Sequence, residues 1–316
     1  MKKLHNYILL SVLAFVLASC SEDEIVPNNN KVQAGGDVQL GLTLQELSRT
    51  IYGVEANNAY PIYWVNGDLV KVASPQCAAG RNNAEYKVTV PENSTQNYAE
   101  NLKTTGEYGV QWGDVQPGDQ VDFYSIYPSE GTTLTVDAQN KSVTANLVVA
   151  ATQYANYTSD SQKKIYYAQP AQMGNVIMAA KQTITKKVND DVVNLQYDPL
   201  STVIEFELNV PKQQQANKLK SITIQSIKLI APSETTIAGN FTYDFNGNVA
   251  PNTSATTSES VTLHFLHDNK YDMQLSIDGN QTLKAKMCLM PMSDATFSGW
   301  TVEVETSAGK FSKRID

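Results

Sequence analysis

Short runs in which apolar and polar residues alternate one by one recur along this chain, and they constrain its fold more than any other feature. Val38, Leu40, Leu42 and Leu44 alternate with Gln39, Gly41 and Thr43. Ile204, Phe206, Leu208 and Val210 alternate with Glu205, Glu207 and Asn209, and Met273, Leu275 and Ile277 with Gln274 and Ser276. Val302 and Val304 repeat the pattern against Glu303 and Glu305. A side-chain period of two turns one face of each run toward a core and the other toward water, which is the signature of a half-buried strand. Turn sequences separate the runs, among them Asn66-Gly67-Asp68, Pro117-Gly118-Asp119, Asn246-Gly247-Asn248 and Asp278-Gly279-Asn280. Many short strands between frequent turns predict an all-β chain of antiparallel sandwiches. Helical signals are few: the polar stretch Gln213 to Lys220, after Pro211, predicts a turn or short helix between strands.

A length of 316 residues predicts about two domains. The polar stretch Thr185 to Asp191 marks a boundary, giving an N-terminal domain over 37–190 and a C-terminal one over 191–316, with Leu195 opening the second. Lys and Arg number 24 against 32 Asp and Glu, a formal charge of −8. Nucleic-acid binding is therefore not expected, because phosphate backbones are held by clustered cations. With 41% hydrophobic and 18% charged residues, the composition is that of a globular protein.

The first residues carry an address. Met1-Lys2-Lys3 is basic, and the apolar run from Tyr7 to Ala18 is too short for the roughly 20 residues that cross a bilayer as a helix. Residues 1–19 therefore read as a signal peptide. The run ends Leu17-Ala18-Ser19-Cys20, which resembles the lipobox of bacterial lipoproteins. That resemblance implies acylation of Cys20, cleavage just before it, and anchoring to a membrane through several acyl chains, each buried methylene contributing about 0.8 kcal/mol. Loss of Lys2 and Lys3 with the leader takes the charge from −8 to −10. Residues 20–36 are the acylated N-terminus and a linker rich in Asn and acidic residues. Ser21-Glu22-Asp23-Glu24 resembles the surface-export signal of gut and oral Gram-negative anaerobes, and an acidic solvated tether reads the same way.

Chemistry-bearing clusters are scarce. Beyond the leader only His264 and His267 remain, and the strand alternation of Val261, Leu263 and Phe265 sends those two rings to opposite faces, so no metal site is expected. No phosphate-binding glycine loop is present, and no nucleophile–base constellation stands out. Neither an enzyme nor a cofactor is expected. Glu205/Glu207 and Glu303/Glu305 read as solvated strand faces. Cys77 and Cys288 lie far apart in sequence, and the expectation is two separate thiols in different domains. Trp64, Trp112 and Trp300 read as core residues; gathered on one exposed face they would make a stacking platform for sugars, and a glycan-binding surface lipoprotein is the alternative function.

Five segments then point one way. They are Ser48-Arg49-Thr50-Ile51-Tyr52 with Trp64-Val65-Asn66-Gly67-Asp68-Leu69-Val70-Lys71-Val72; Val121-Asp122-Phe123-Tyr124-Ser125-Ile126-Tyr127-Pro128; and Val176 to Ala180 with Leu200 to Phe206. Leu219 to Ile222 with Ile237-Ala238-Gly239, and Ala285 to Pro291, complete the set. In this order, behind a lipobox, they resemble the fimbrillin family, the type V pilins of Gram-negative gut and oral bacteria. The resemblance implies two transthyretin-like antiparallel β-sandwich domains in tandem and a place in surface fimbriae. It also implies a lipidated precursor at the outer membrane, an Arg- or Lys-specific protease that cuts beyond the first strand, and a neighbouring pilin subunit whose strand refills the groove, with an adhesion ligand as a further partner. Carried onto this chain, Val38, Leu40, Leu42 and Leu44 form the leaving strand and Arg49 is the processing site, so cleavage would remove the 30 residues from Cys20 to Arg49 (49 − 20 + 1). After the Ser307-Ala308-Gly309-Lys310 turn, Phe311 to Asp316 are expected to complete a hairpin with Thr301 to Thr306. That favours a tip or accessory subunit over a stalk subunit, or a truncated chain.

Overall fold

The computed structural model describes residues 36–44, 64–91, 98–99, 102–170, 176–188, 192–209, 221–266, 273–276, 281–290 and 297–315. Every regular element among them is a strand. The first ten are β1 (Gln39–Leu44), β2 (Leu69–Ala73), β3 (Asn83–Lys87), β4 (Tyr98–Ala99), β5 (Lys103–Thr104), β6 (Gln120–Tyr127), β7 (Thr133–Asp137), β8 (Ser142–Val149), β9 (Thr152–Asp160) and β10 (Ile165–Pro170). There follow β11 (Met178–Thr185), β12 (Val192–Pro199), β13 (Thr202–Asn209), β14 (Ser221–Ile230), β15 (Ala238–Tyr243) and β16 (Val249–Pro251). The last six are β17 (Thr257–Ser258), β18 (Ser260–Leu266), β19 (Met273–Ser276), β20 (Thr282–Leu289), β21 (Thr301–Thr306) and β22 (Gly309–Arg314).

The all-β expectation holds, and the alternating runs become strands. In β8, Val143, Ala145, Leu147 and Val149 are buried while Thr144, Asn146 and Val148 face solvent. The stretch Gln213 to Lys220 lies outside the described residues.

Three sheets form. The first has eight strands in the order β4-β1-β12-β11-β6-β2-β3-β5. Its two end strands come from one short segment: Ala99 of β4 and Lys103 of β5 are four residues apart, a reach of at most about 14 Å. Laid flat, the ends of eight strands spaced about 4.8 Å apart would be roughly 34 Å apart. The sheet must therefore curl until it nearly closes on itself. A nine-stranded sheet, β13-β20-β10-β9-β18-β14-β21-β22 with β19 also on β14, faces a five-stranded sheet, β16-β15-β8-β7 with β17 on β15. Val261, Leu263 and Phe265 of β18, with Leu283, Ala285 and Met287 of β20, share one apolar core with Val143, Ala145 and Leu147 of β8 and Phe241 of β15.

The sheets do not divide at residue 190. Strands β7 to β10, from the N-terminal side of that boundary, belong to the five- and nine-stranded sheets, and β12, from the other side, belongs to the first sheet. Leu195 accordingly lies in the first core beside Leu42. A polar stretch marks a loop, but backbone pairing and apolar burial decide which sheet a strand joins. The cores also meet. In β6, Val121, Phe123 and Tyr127 face the inside of the curled sheet while Tyr124 and Ile126 face the sandwich core. Residues 32–316 form a single compact unit.

One side chain stands in for backbone at that junction. Gln153 of β9 is buried, and its amide donates to the Cys288 carbonyl at 2.6 Å and accepts from the Cys288 N–H at 3.0 Å, as a neighbouring strand would. Replacing Gln153 by leucine removes both of these hydrogen bonds from buried peptide groups, and a buried group left unsatisfied costs about 1–3 kcal/mol. Gln153→Leu is therefore expected to lower the urea midpoint markedly, and Gln153→Glu, which keeps an acceptor but loses the donor, to lower it too. Unchanged midpoints would contradict this role.

Candidate functional site

The strand β1 lies inside the curled sheet's hydrogen-bonding, not on its rim. On one side it runs parallel to β12 in unbroken register from Gln39 opposite Val192 to Leu44 opposite Tyr197. On the other side three pieces of a single excursion close over it. Leu42 and Thr43 pair antiparallel with Ala99 and Tyr98. The Leu102 N–H donates to the Leu40 carbonyl at 3.2 Å. The Val38 N–H donates to the Val110 carbonyl at 2.8 Å, and the Trp112 N–H to the Gly36 carbonyl at 3.2 Å. Asp37 bridges to Gln111, whose side-chain amide also donates to Asp37 Oδ1 at 3.0 Å. Strands lie about 4.8 Å apart, so β1 fills a slot about 10 Å wide between backbone walls.

Its inward side chains fit the period of two. Val38, Leu40 and Leu42 retain only 4%, 2% and 1% of their exposure and pack with Val193, Leu195, Phe123 and Trp112. Leu44 is placed by its backbone pairing with Tyr197.

The wall opposite β12 is held from behind. The Val110 N–H donates to the Tyr86 hydroxyl at 2.6 Å inside the core. A Cβ on Gly109 would lie 2.7 Å from that hydroxyl, so only glycine lets the phenol reach the backbone. The Gln111 N–H donates to the Arg81 carbonyl, the Ala78 N–H donates to the Gln111 carbonyl, both at 2.9 Å, and the Arg81 guanidinium lies 3.4 Å from the Tyr108 ring centre. At the other end of the slot, Trp64 meets Tyr127 and Tyr197 edge to face, with ring centres 5.4 and 5.3 Å apart, and the Tyr197 hydroxyl bonds to Ser125.

Cys20, Arg49 and His267 lie outside the described residues. Cys77 and Cys288 remain thiols, as expected, but both border the first core instead of lying in different domains. Trp64, Trp112 and Trp300 are 0%, 2% and 2% exposed, so they form core and no sugar-stacking face. Among the described residues no three His, Cys, Asp or Glu side chains gather in a way that could hold a metal. Glu205 and Glu207 are not merely solvated: Lys284 bridges both at 3.6 and 3.8 Å, and buried Lys286 reaches Glu205 at 3.7 Å. The expected C-terminal hairpin is present, with Thr301 opposite Arg314 and Thr306 opposite Gly309. The wall residues Tyr86, Val110 and Gln111 escaped sequence reasoning, since 110–112 has no alternating run of its own, and Trp112 was legible only as core.

No protein-family model matches the chain, and no curated protein is similar to it. Solved structures with a remote likeness include a candidate cell adhesion protein from Bacteroides uniformis, at 15% identity and a TM-score of 0.48, covering 92% of this chain and 86% of that one. A fimbrial assembly protein from Parabacteroides distasonis has 13% identity and a TM-score of 0.39, covering 90% and 86%. The fimbrial anchor protein Mfa2 from Porphyromonas gingivalis has 10% identity and a TM-score of 0.34, covering 88% and 82%.

Burial pushes the Cys77 thiol up from 9.0 to about 11 against a weaker opposing hydrogen bond from Ser74, and raises the phenols of Tyr86, Tyr127 and Tyr197 well above their ordinary 10.0. These groups hold their protons in the fold and lose them on unfolding. Their contribution is complete below about pH 9 and declines as the pH rises through 9.0 toward 11 for Cys77, and from 10.0 upward for the phenols. The urea midpoint is therefore expected to fall steadily from pH 9 to pH 11. Leu40→Ala is expected to cost about 2–5 kcal/mol in the same measurement.

Proposed function

We propose that this chain is the precursor of a fimbrial subunit that loses β1 to proteolysis after Arg49 and takes a strand from a neighbouring subunit in its place. The observation that carries the reading is the slot: an N-terminal strand is paired by backbone on both flanks and seals an apolar core. Taking it out would uncover Val38, Leu40 and Leu42 contacts worth about 1.5–3 kcal/mol each and would leave two walls of unpaired backbone groups. Strand addition repairs both losses at once, with main-chain hydrogen bonds giving affinity and alternate side chains giving register. Arg49 follows five residues after Leu44, and Cys20 precedes the strand, so a cut there would free the subunit from its lipid as it opens the slot. The stretch Gly309–Arg314 is engaged with β21, which fits a subunit that accepts a strand without handing over those residues.

In cells that assemble the protein, N-terminal sequencing of the fibre-associated form is expected to begin at Thr50. Arg49→Ala is expected to leave the acylated precursor in the membrane and abolish incorporation. Assembled protein that begins at Cys20 would overturn the reading. Cys20→Ser is expected to stop incorporation of labelled palmitate and release a soluble or unprocessed precursor; continued labelling would refute the acylation site.

A further inference from the structure

The outward face of β1 carries one residue that neither the core nor the backbone geometry explains. Gly41 lies between Leu40 and Leu42 and is buried although it points away from the core they enter. Its backbone is not in the left-handed region that calls for glycine. Glycine inside a strand gives up side-chain packing, and it commonly marks a place where another group approaches the backbone. Here that group is Asn194. It stands directly opposite Gly41 in the parallel register with β12, on the same outward face, between the inward Val193 and Leu195. A Cβ on Gly41 would overlap Asn194 Oδ1 and come within 3.6 Å of Asn194 Cγ, with the Ala99 carbonyl at 3.7 Å on the opposite wall. The amide thus lies across the backbone of β1 and roofs the slot at this one level.

We propose that Asn194 is a specificity-determining residue of the strand-accepting slot: it admits an extended segment that is apolar at the places of Val38, Leu40 and Leu42 and has glycine at the place of Gly41. This rests on the acceptor reading above and adds a sequence rule to it. Alternating apolar residues alone suit any slot that faces a core. The glycine is favoured at an outward position, where an ordinary strand tolerates almost any side chain, so it separates segments with equally good inward faces. A segment with a branched residue there must turn the Asn194 amide aside, and because that amide is the far end of an exposed, flexible side chain the penalty is a few-fold in affinity.

The test uses the full-length protein with a specific protease site placed within residues 45–50. Once cut, β1 stays in its slot without a covalent link. A fluorescent synthetic peptide of residues 36–44 then exchanges with it and is followed by anisotropy, alongside peptides carrying Gly41→Ala, Gly41→Val or Leu42→Ala. The expected order is glycine tightest, alanine weaker and valine weakest, a few-fold below glycine. Asn194→Ala, which removes only an exposed amide, is expected to restore uptake of the valine peptide and leave the Leu42→Ala peptide as poor as before. Equal affinity for glycine and valine peptides, or no rescue by Asn194→Ala, overturns the proposal while leaving strand acceptance intact. Failure of even the glycine peptide to enter overturns strand acceptance, and this inference with it.

Discussion

The pairing of β1 with β12 on one side and with residues 98–99 and 102–112 on the other is the constraint from which the first sheet takes its form. Without that strand the curled sheet has a gap about 10 Å wide between β12 and the segments 98–99 and 102–112. Those wall segments have little regular structure of their own. Their backbone groups are satisfied by β1 in front and by Tyr86, Arg81 and Ala78 behind. A strand whose loss would undo two walls and a core at once is a structural keystone, because its backbone groups and its inward side chains are used on both flanks together.

Elsewhere the molecule discourages strand addition. The nine-stranded sheet ends in β13 and β22. At the first edge Glu205 and Glu207 are laced to Lys284 and Lys286, and the second carries Lys310, Lys313 and Arg314 on an exposed strand. Charged edges resist casual pairing, since a partner strand would have to desolvate them. The partly exposed pairs of Lys284 add little stability, typically under about 1 kcal/mol, so their effect lies in excluding wrong partners more than in holding the fold. Lys71 bonding to the Thr132 carbonyl and Asn83 to that of Leu134 tie the neighbourhood of β7, at the end of the five-stranded sheet, to the first sheet.

The close packing of the two cores through β6 and β11 links the slot to the rest of the chain. Phe123 packs on Trp112 at the slot wall with ring centres 5.7 Å apart, while Tyr124, the next residue, packs on Phe245 of the sandwich at 5.1 Å. A strand that buries side chains on both faces mixes its apolar residues, as Val121-Asp122-Phe123-Tyr124-Ser125-Ile126-Tyr127 does, and shows no clean period of two. Nothing local says which residues go to which core.

The sequence by itself determined the all-β class, the position and inward face of β1, and the final hairpin, because each depends on a local period of two and on turn residues whose geometry is set within a few positions. It also placed Phe206, Met273 and Leu275 toward the core. Only the tertiary structure decided that β7 to β10 cross into the second core and β12 into the first, that Cys77 and Cys288 border one core, and that residues 98–99 and 102–112 close over β1. Those outcomes rest on hydrogen bonds and apolar contacts between residues tens to hundreds of positions apart, and a single strand's pattern names the face it buries but not the partner it buries it against. The glycine opposite Asn194 shows the same limit: Gly41 was legible as a residue in an alternating run, and its reason became visible only when β12 was laid beside it.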